Sequence, residues 1–405
     1  MDAEKIKERV YSIDFLRGVV MMIMLLDHTR EFVHAGALQS DPTDPATTTV
    51  AVFFTRWITH YCAPTFVFLS GVSIYLQKAN GKSNAELSRF LFSRGIWLIF
   101  LEFTVVRFGV VFNFDYSFFG LAQVIWVIGL SMIVMAALIY LPVKLVGAAG
   151  FAMIVLHNLL DGIQVPLEIA FGGTPPPAFS QMIWMILHQP GVVPITATST
   201  AFVAYPLIPW VGVMAAGFAF GTVFLWESQR RRRFLFALGG ISTTLFIVLR
   251  LVNVYGDPSG WSVQASGTST FLSFLNTTKY PPSLLYLLMT LGPALFILAF
   301  TDRINGRSSW QRIGIVFGRV PMFYYILQWY FAHSAAVLLT YVAGRELGYL
   351  LLNPLAAGGT APPGYGFPLW VVYAVWLSGL VILFPLCSWW GNLKKRNKHW
   401  ALSYL

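Results

Sequence analysis

Charged residues are scarce in this 405-residue sequence. Asp, Glu, Lys and Arg together make up 11% of it, while 57% of the residues are hydrophobic. Soluble domains typically carry about 25% charged residues. A water-soluble protein with so few charges could not cover its surface, so the composition excludes an ordinary soluble protein and predicts a surface that faces lipid.

Cysteine is almost absent, because only Cys62 and Cys387 occur, both within apolar stretches. This excludes a disulfide framework and a cysteine-based zinc site, and both residues are expected to be small buried hydrophobic groups. No repeat of fixed period and no soluble domain can be recognised. The first apolar run contains ionisable residues and lacks a small-residue cleavage site, so we expect it to stay as a helix rather than to act as a cleaved signal peptide.

The sequence does contain many long apolar runs. A membrane-spanning helix needs about 20 mostly apolar residues. We therefore predict an all-α polytopic integral membrane protein, with a single transmembrane domain over residues 1–405 and about ten transmembrane helices. The predicted spans are 12–33, 52–77, 95–113, 119–140, 143–160, 203–226, 234–252, 282–301, 313–341 and 367–388. The stretch at 178–188 is too short to span and is expected to lie along the interface.

The net charge of +10 does not indicate a nucleic-acid-binding protein, because the basic residues lie in short clusters between the apolar runs. Cytoplasmic loops of membrane proteins carry such clusters. Alternate loops here are basic, whereas residues 161–200 contain no Lys or Arg, and Lys279 and Arg345 are the exceptions. The pattern predicts ten spans with both termini in the cytoplasm. The basic clusters include Lys5, Lys7, Arg9, Lys78, Lys82, Arg89, Arg94, Lys144, Arg230–Arg233, Arg303, Arg307, Arg312, Lys394, Lys395, Arg396 and Lys398.

Ionisable residues within the spans point to a functional site. A charge in the middle of a membrane costs at least about 2.5–3.5 kcal/mol, so each one needs a reason. His28 is the strongest candidate, because an imidazole beside Asp27 in apolar surroundings is expected to be perturbed and fixed in orientation. The first three predicted helices hold most such residues, namely Asp14, Arg17, Asp27, His28, Arg56, His60, Glu102 and Arg107.

Structural explanations remain open for several of these residues. Asp14 and Arg17, three apart, can form a pair at the cytoplasmic boundary. Arg56 and Glu102 can form an interhelical ion pair, and His60 can be a satisfied core histidine. His157 can cap the outer end of its helix, while His188 and His399 can be interfacial.

Two segments resemble a known superfamily. Residues 12–18 (SIDFLRG), followed ten residues later by His28, resemble the first-helix motif of the transmembrane acyltransferases. Residues 63–71 (APTFVFLSG) resemble the second-helix signature of the acyltransferase-3 branch. Arg89 and Arg94 resemble the basic motif before the third helix. The order and spacing of these motifs is more specific than any one of them.

The sequence also resembles a group of bacterial membrane proteins classed with the heparan-alpha-glucosaminide N-acetyltransferase catalytic domain. Shared stretches include MLLDHTREF, TRWITHYCAPTFVFLSG and PMFYYILQWYFAH. The strong part of the resemblance covers residues 10–110, and weaker similarity extends to the C-terminus. Gln328 is a departure, since relatives often carry histidine there.

The resemblance implies an acyl-CoA-dependent acyltransferase of the bacterial cytoplasmic (inner) membrane. It would take an acyl group, most simply acetyl, from cytoplasmic acyl-CoA and deliver it to a hydroxyl or amine of an extracytoplasmic sugar or other small acceptor. His28 matches the catalytic histidine of the acyltransferase-3 branch. In the lysosomal branch that histidine lies in the loop after the first helix, which makes His34 the rival.

Roles for the remaining candidates follow from what acyl transfer needs. It needs a base, a donor to the thioester oxyanion and cations for the CoA phosphates. Asp27 or Glu31 would tune His28, while Arg56 and His60 would stabilise the oxyanion. Arg17, Arg89 and Arg94 would bind the phosphates, and Asp14, Glu102 and Arg107 would support the site. No metal is expected, although Asp27, His28 and His60 are possible ligands.

Two other functions use the same residues. A transporter of a small anion or sugar would use the buried charges as its substrate path, but it often shows inverted repeats, which are not recognisable here. A non-catalytic membrane scaffold would tolerate replacement of His28 and Arg56. The acceptor and the oligomeric state stay open, with a homodimer as one option.

Overall fold

The structure, a computed structural model, describes residues 10–36, 40–351, 361–397, 399, 402 and 404. Part of the orientation prediction rests on Lys5, Lys7, Arg9 and Lys398, which lie outside the described residues. The helices are α1 (Tyr11–Val33), α2 (Val50–Trp57), α3 (Cys62–Ala79), α4 (Asn84–Leu101), α5 (Arg107–Val111), α6 (Val124–Leu138), α7 (Val143–Leu156), α8 (Leu167–Ala170), α9 (Phe179–Leu187), α10 (Leu207–Phe220), α11 (Ser228–Val252), α12 (Gly267–Leu275), α13 (Leu284–Thr301), α14 (Ser309–Arg319), α15 (Pro321–Val342), α16 (Gly348–Leu351) and α17 (Leu369–Arg396).

Short 3-10 or π-helical turns extend several of these helices. A 3-10 turn at Ile58–Tyr61 joins α2 to α3, and a π-helical turn at Glu102–Val106 joins α4 to α5. Two more 3-10 turns, His157–Leu160 and Gly221–Leu225, continue α7 and α10. The predicted spans at 52–77 and 95–113 therefore correspond to composite helices whose irregular turns carry His60 and Glu102.

Five helical segments within the described residues are long and apolar enough to cross a membrane. They correspond to the predicted spans at 143–160, 203–226, 234–252, 282–301 and 367–388, so the structure fits a helical membrane protein. The other five spans and the cytoplasmic termini stay predictions. The five segments are Val143–Leu160, Leu207–Leu225, Ser228–Val252, Leu284–Thr301 and Leu369–Arg396.

Two predicted spans differ from the helices observed. The span at 313–341 is interrupted at Val320, where α14 ends and α15 begins. Pro321 explains the break, because its ring disfavours helical geometry at the preceding residue and suits the first position of a new helix. The span at 119–140 is wrong at its start, since residues 118–122 form a strand and the helix begins only at Val124.

A small β-sheet is the part of the fold that an all-α prediction did not include. Its strand order is β1-β3-β2, with β2 antiparallel and β1 parallel to β3. β-Branched Val, Ile and Thr residues, which favour strands, are frequent in β2 and β3. The strands are β1 (Phe118–Ala122), β2 (Gly191–Thr196) and β3 (Ser199–Val203).

Helix α1 lies at the centre of the molecule, which places its charged residues in the interior. It contacts α3, α13, α14, α15 and α17. The contact with α14 depends on glycine: a Cβ atom at Gly318 would lie 1.7 Å from the backbone oxygen of Asp14, and one at Gly18 would lie 1.7 Å from that of Gly314. Gly314 and Gly318 form the small-xxx-small spacing that lets membrane helices approach closely.

Candidate active site

The last turns of α1 bring two carboxylates and two guanidinium groups together. Asp27 accepts a hydrogen bond from Arg56 Nη1, and its other oxygen lies 3.4 Å from Arg30 Nη2. Glu31 lies 3.7 Å from Arg30 and 3.9 Å from Arg56. Asp27 and Arg30 are buried. Because a buried ion pair is weak evidence for stability, this cluster calls for a functional explanation.

Glu31 is the carboxylate that contacts His28. The His28 Nδ1 atom lies 3.3 Å from Glu31 Oε2, one helical turn further along the same face. Asp27 is turned instead toward Arg56 on α2. Of the two carboxylates expected to tune His28, the structure therefore places Glu31 in that position and Asp27 in the ion-pair network.

Helix α15 fixes the His28 ring from the other side. The ring centroids of His28 and Trp329 lie 3.6 Å apart with an interplanar angle of 35°. Phe32 packs edge-on against the same tryptophan. A hydrogen bond and an aromatic contact thus hold the imidazole in one orientation, as a catalytic base requires.

His60 joins the same region through the 3-10 turn that precedes α3. It is buried, and its carbonyl accepts a 2.8 Å hydrogen bond from the Tyr286 hydroxyl. Its Nδ1 atom has no hydrogen-bond partner among the described residues. One nitrogen of this buried ring is therefore left for a further hydrogen bond, and the choice between a structural and a functional His60 stays a prediction.

Lys279 is a residue of the cluster that sequence reasoning missed. It is 91% buried, its charge acts on Asp27 and His60, and its Nζ atom lies 5.1 Å from the ring centroid of Tyr280. The available signal was its position as a basic residue in a segment that is predicted to face away from the cytoplasm. With Lys279, three cations face two carboxylates, so the cluster has an excess of positive charge.

A cavity of about 280 Å³ opens at the opposite end of α1. Arg17 and Arg94 line it, and Arg17 is held by Ser73 Oγ at 3.0 Å, by Asp14 at 3.5 Å and by the carbonyl of Gly318. Arg89 is exposed and does not line it. Of the three predicted phosphate-binding arginines, two therefore lie together at the cavity.

The cavity ends one helical turn from His28. Met24 and Tyr325 line it, and these residues precede His28 and Trp329 by four positions on α1 and α15, about 6 Å along each axis. Gln328 lies between, with Nε2 3.0 Å from Met24 Sδ. The Gln328 Oε1 atom has no hydrogen-bond partner among the described residues.

Glu102 and Arg107 have structural roles. The Glu102 carboxylate accepts a 2.9 Å hydrogen bond from the backbone N–H of Trp126, near the start of α6. The interhelical pair of Arg56 with Glu102 is therefore wrong, because Arg56 pairs with Asp27. Arg107 donates to the carbonyls of Asn113, Asp115 and Phe118 and so holds the loop between α5 and β1.

His34 lies past the end of α1 and outside the ion-pair network. Its Nδ1 atom accepts a 3.1 Å hydrogen bond from the backbone N–H of Gly36. Burial lowers the pKa of His34, and the charge of Arg30 lowers it further, so this imidazole is neutral at pH 7. Its position leaves it a rival base that lacks the carboxylate partner of His28.

The side chains that lie close enough together to bind a metal ion are not those that the sequence suggested as possible metal ligands. Among the described residues, one group of three donors has metal-like spacing, and it consists of His157, Asp161 and His188, not of Asp27, His28 and His60. His188 was expected to be interfacial and His157 a helix cap. His157 does stand at the C-terminal cap of α7, and both rings are buried, with His157 Nδ1 3.4 Å from His188 Nε2.

These features define a helical membrane protein with a buried cluster of charged residues and a separate cavity near it. The chain belongs to the family of heparan-alpha-glucosaminide N-acetyltransferase catalytic domains, whose family model matches residues 9–250, more than half of its length. No curated protein matches the chain at a significant level. Family membership indicates a membrane acetyltransferase and does not support the transporter alternative.

Proposed function

We propose that this acetyltransferase uses acetyl-CoA from the cytoplasmic side and transfers the acetyl group to an amine or hydroxyl on the other side of the bacterial inner membrane. The observation that carries the proposal is the cavity that extends from Arg17 and Arg94 to within one turn of His28. An acyl-CoA could place its phosphates at the mouth and its slender thioester arm inside.

The composition of the cavity suits this donor. Guanidinium groups bind phosphates through charge-assisted hydrogen bonds, and two of them stand at the mouth. The walls beyond are apolar and include methionine, which adapts to irregular shapes. The unpartnered Gln328 Oε1 atom at the inner end could accept a hydrogen bond from an amide N–H of the pantetheine arm.

The reaction centre supplies the base and the oxyanion stabilisation. His28 removes the proton of the acceptor amine or hydroxyl as the new bond to the thioester carbon forms. The carbonyl oxygen gains negative charge, which the nearby cations Arg56 and Lys279 offset. The carbon–sulfur bond then breaks, and the proton held by His28 is returned to the CoA thiolate.

A second cavity, of about 230 Å³, offers a route for the acceptor from the opposite side. Its lining includes Tyr280, next to Lys279, together with Thr278, Gln164 and Gln189. These hydroxyl and amide groups match the hydrogen-bonding groups of a sugar. This supports a sugar or another small polar acceptor.

The first experiment measures acetyl-CoA binding and CoA release by the purified protein, with His28→Ala and His34→Ala alongside. We expect wild type to bind acetyl-CoA saturably and release CoA. His28→Ala should retain binding but release CoA about 10²–10⁴-fold more slowly, as is typical when a general base is lost.

Other results would revise or overturn specific parts of the proposal, namely the identity of the base, the donor or the donor site. Release that survives in His28→Ala and is lost in His34→Ala would move the base to His34. Failure of wild type to bind any short acyl-CoA would overturn the donor assignment. An Arg94→Ala variant that binds as well as wild type would remove the cavity mouth from the donor site.

A further inference from the structure

The outer ends of α7 and α9 bring three metal-binding side chains together, away from the reaction centre. His157 follows α7, Asp161 lies in the next turn, and His188 follows α9. The two imidazoles are almost fully buried and Asp161 is partly exposed. The proposed proton transfer at His28 uses none of these three side chains, although Asp161 and His188 line the cavity proposed for the acceptor.

We propose that His157 Nδ1, His188 Nε2 and Asp161 Oδ1 bind one divalent transition-metal ion of the Zn²⁺ class. The atoms lie 3.4 Å apart between the two histidines and 3.7 Å between His188 and Asp161, and all three fall within 4.8 Å of one another. Neighbouring ligands of a tetrahedral ion with bonds of about 2.0–2.1 Å lie roughly 3.3–3.4 Å apart. A small inward movement of Asp161 completes this spacing.

Hydrogen bonds within the cluster leave these three atoms weakly satisfied. His188 Nε2 lies 2.9 Å from the backbone oxygen of His157, while its contacts with His157 Nδ1 and Asp161 Oδ1 are at or beyond the limit of a hydrogen bond. On metal binding, the proton of His188 moves to Nδ1, which frees Nε2 to coordinate. The bonds from the three ligand atoms to the ion would replace the hydrogen bond between His188 Nε2 and the backbone oxygen of His157.

Neighbouring residues orient the ligands as they do around known metal sites. Asn158 Nδ2 donates a 2.8 Å hydrogen bond to Asp161 Oδ2 and so directs Oδ1 toward the histidines. The His188 ring is stacked on Trp184, with centroids 5.3 Å apart. Partners of this kind set the orientation and basicity of metal ligands.

The chemistry of the donors selects the class of ion. Two imidazoles and one carboxylate suit Zn²⁺ and its neighbours, whereas Mg²⁺ and Ca²⁺ prefer all-oxygen sites. Asp161 and His188 also line the outer 230 Å³ cavity, which gives the ion an access route and leaves room for a water ligand. The bound ion would tie the turn after α7 to the end of α9.

The test uses the full chain without an affinity tag, freed of metal and titrated with Co²⁺ and then Zn²⁺. We expect one Co²⁺ per chain with the absorption of a tetrahedral site, displaced by Zn²⁺. His188→Ala and Asp161→Asn should each lower the affinity at least about 10-fold, since even partners of the ligands are worth 10–100-fold. His34→Ala, which alters another outer-side histidine, should bind like wild type.

Metal binding by the wild-type protein alone can refute the proposal, so the test does not depend on whether every variant folds. Absence of saturable Co²⁺ binding to wild type would show that the cluster is only hydrogen-bonded. Equal binding by wild type, His188→Ala and Asp161→Asn would place the ion elsewhere. Folding of each variant is checked by its helical circular dichroism and its elution on gel filtration.

Discussion

The Lys279 side chain adds the third positive charge to a cluster that otherwise contains two cations and two carboxylates. It is buried, although its charged group belongs to an outer connecting segment. In the proposed reaction, this buried cation would offset the negative charge that develops on the thioester oxygen.

Replacement of Lys279 by methionine, which keeps the length and apolar stem, should lower kcat about 10²-fold. That is the typical cost of removing one group that stabilises an oxyanion. The measurement is acetyl-CoA-dependent CoA release. Acetyl-CoA binding should change little, because the donor cavity lies at the other end of α1.

Arg345→Met provides the matched control. Arg345 is the other basic residue of the outer segments, but it is exposed and donates to the carbonyl of Gly366. The Arg345→Met variant should retain wild-type activity. If both variants lose activity equally, the effect comes from loss of outer-side charge in general, not from the position of Lys279.

Residue identity and spacing predicted part of this site. Asp27, His28, Arg56 and His60 were found because charges within apolar helices are rare and four-residue spacings share a face. Lys279 could not be placed from sequence, because only the packing of α13 against α1 brings residue 279 back to residue 27. The pairing of Arg56 with Asp27 rather than with Glu102 could not be predicted either, because it depends on how α4 is rotated about its axis.

At the scale of elements, the approach of α1 to α14 sets the position of the donor cavity. Gly314 and Gly318 on α14 let the backbones touch, and the Gly318 carbonyl accepts from Arg17. This contact therefore supports both the helix pair and an arginine at the cavity mouth.

Gly318→Ala should destabilise the protein by about 1–3 kcal/mol, the usual cost of overpacking. The added methyl group would overlap the backbone of Asp14, which cannot move aside as a flexible side chain can. The apparent melting temperature in detergent should fall, and acetyl-CoA binding should weaken because Arg17 loses its support.

Gly240→Ala serves as the comparison, since it makes the same change in the interior of α11. A Cβ atom there would meet nothing within 4 Å. The variant should be unchanged or slightly more stable, because alanine favours a helix over glycine. Equal melting temperatures for Gly318→Ala and Gly240→Ala would show that the α1–α14 contact can open without cost.

Hydrophobic runs predicted where most elements lie, but not where they break. The run at 313–341 is apolar on both sides of the break at Val320 and is interrupted there only by Arg319, so mean hydropathy did not indicate two helices, although Pro321 did. The strand at 118–122 was hidden for a related reason: Phe, Leu and Ala suit a buried strand and a membrane helix equally. Its pairing with β3 connects segments about 80 residues apart.

At the scale of the whole molecule, the proposed reaction requires that the two cavities open on opposite sides of the membrane. Lys82 lies in the turn between α3 and α4, at the basic end, whereas Gln164 lines the outer cavity. Both are exposed. The two native cysteines are buried, so single added cysteines can be followed by labelling.

Gln164→Cys should react with a membrane-impermeant thiol reagent in intact cells, whereas Lys82→Cys should react only after the cells are permeabilised. The expected difference follows from the excess of Lys and Arg in cytoplasmic loops, which places Lys82 in the cytoplasm and Gln164 on the opposite side. The protein without either substitution reports the background from Cys62 and Cys387. Labelling of both positions in intact cells would contradict the proposed topology and, with it, transfer across the membrane.

Met24, Gln328 and Trp329 lie between the proposed donor cavity and His28. In the proposed reaction the acetyl group of the donor has to pass this layer to reach His28. We expect the layer to seal the two cavities from each other, so that widening it would let ions leak across the membrane.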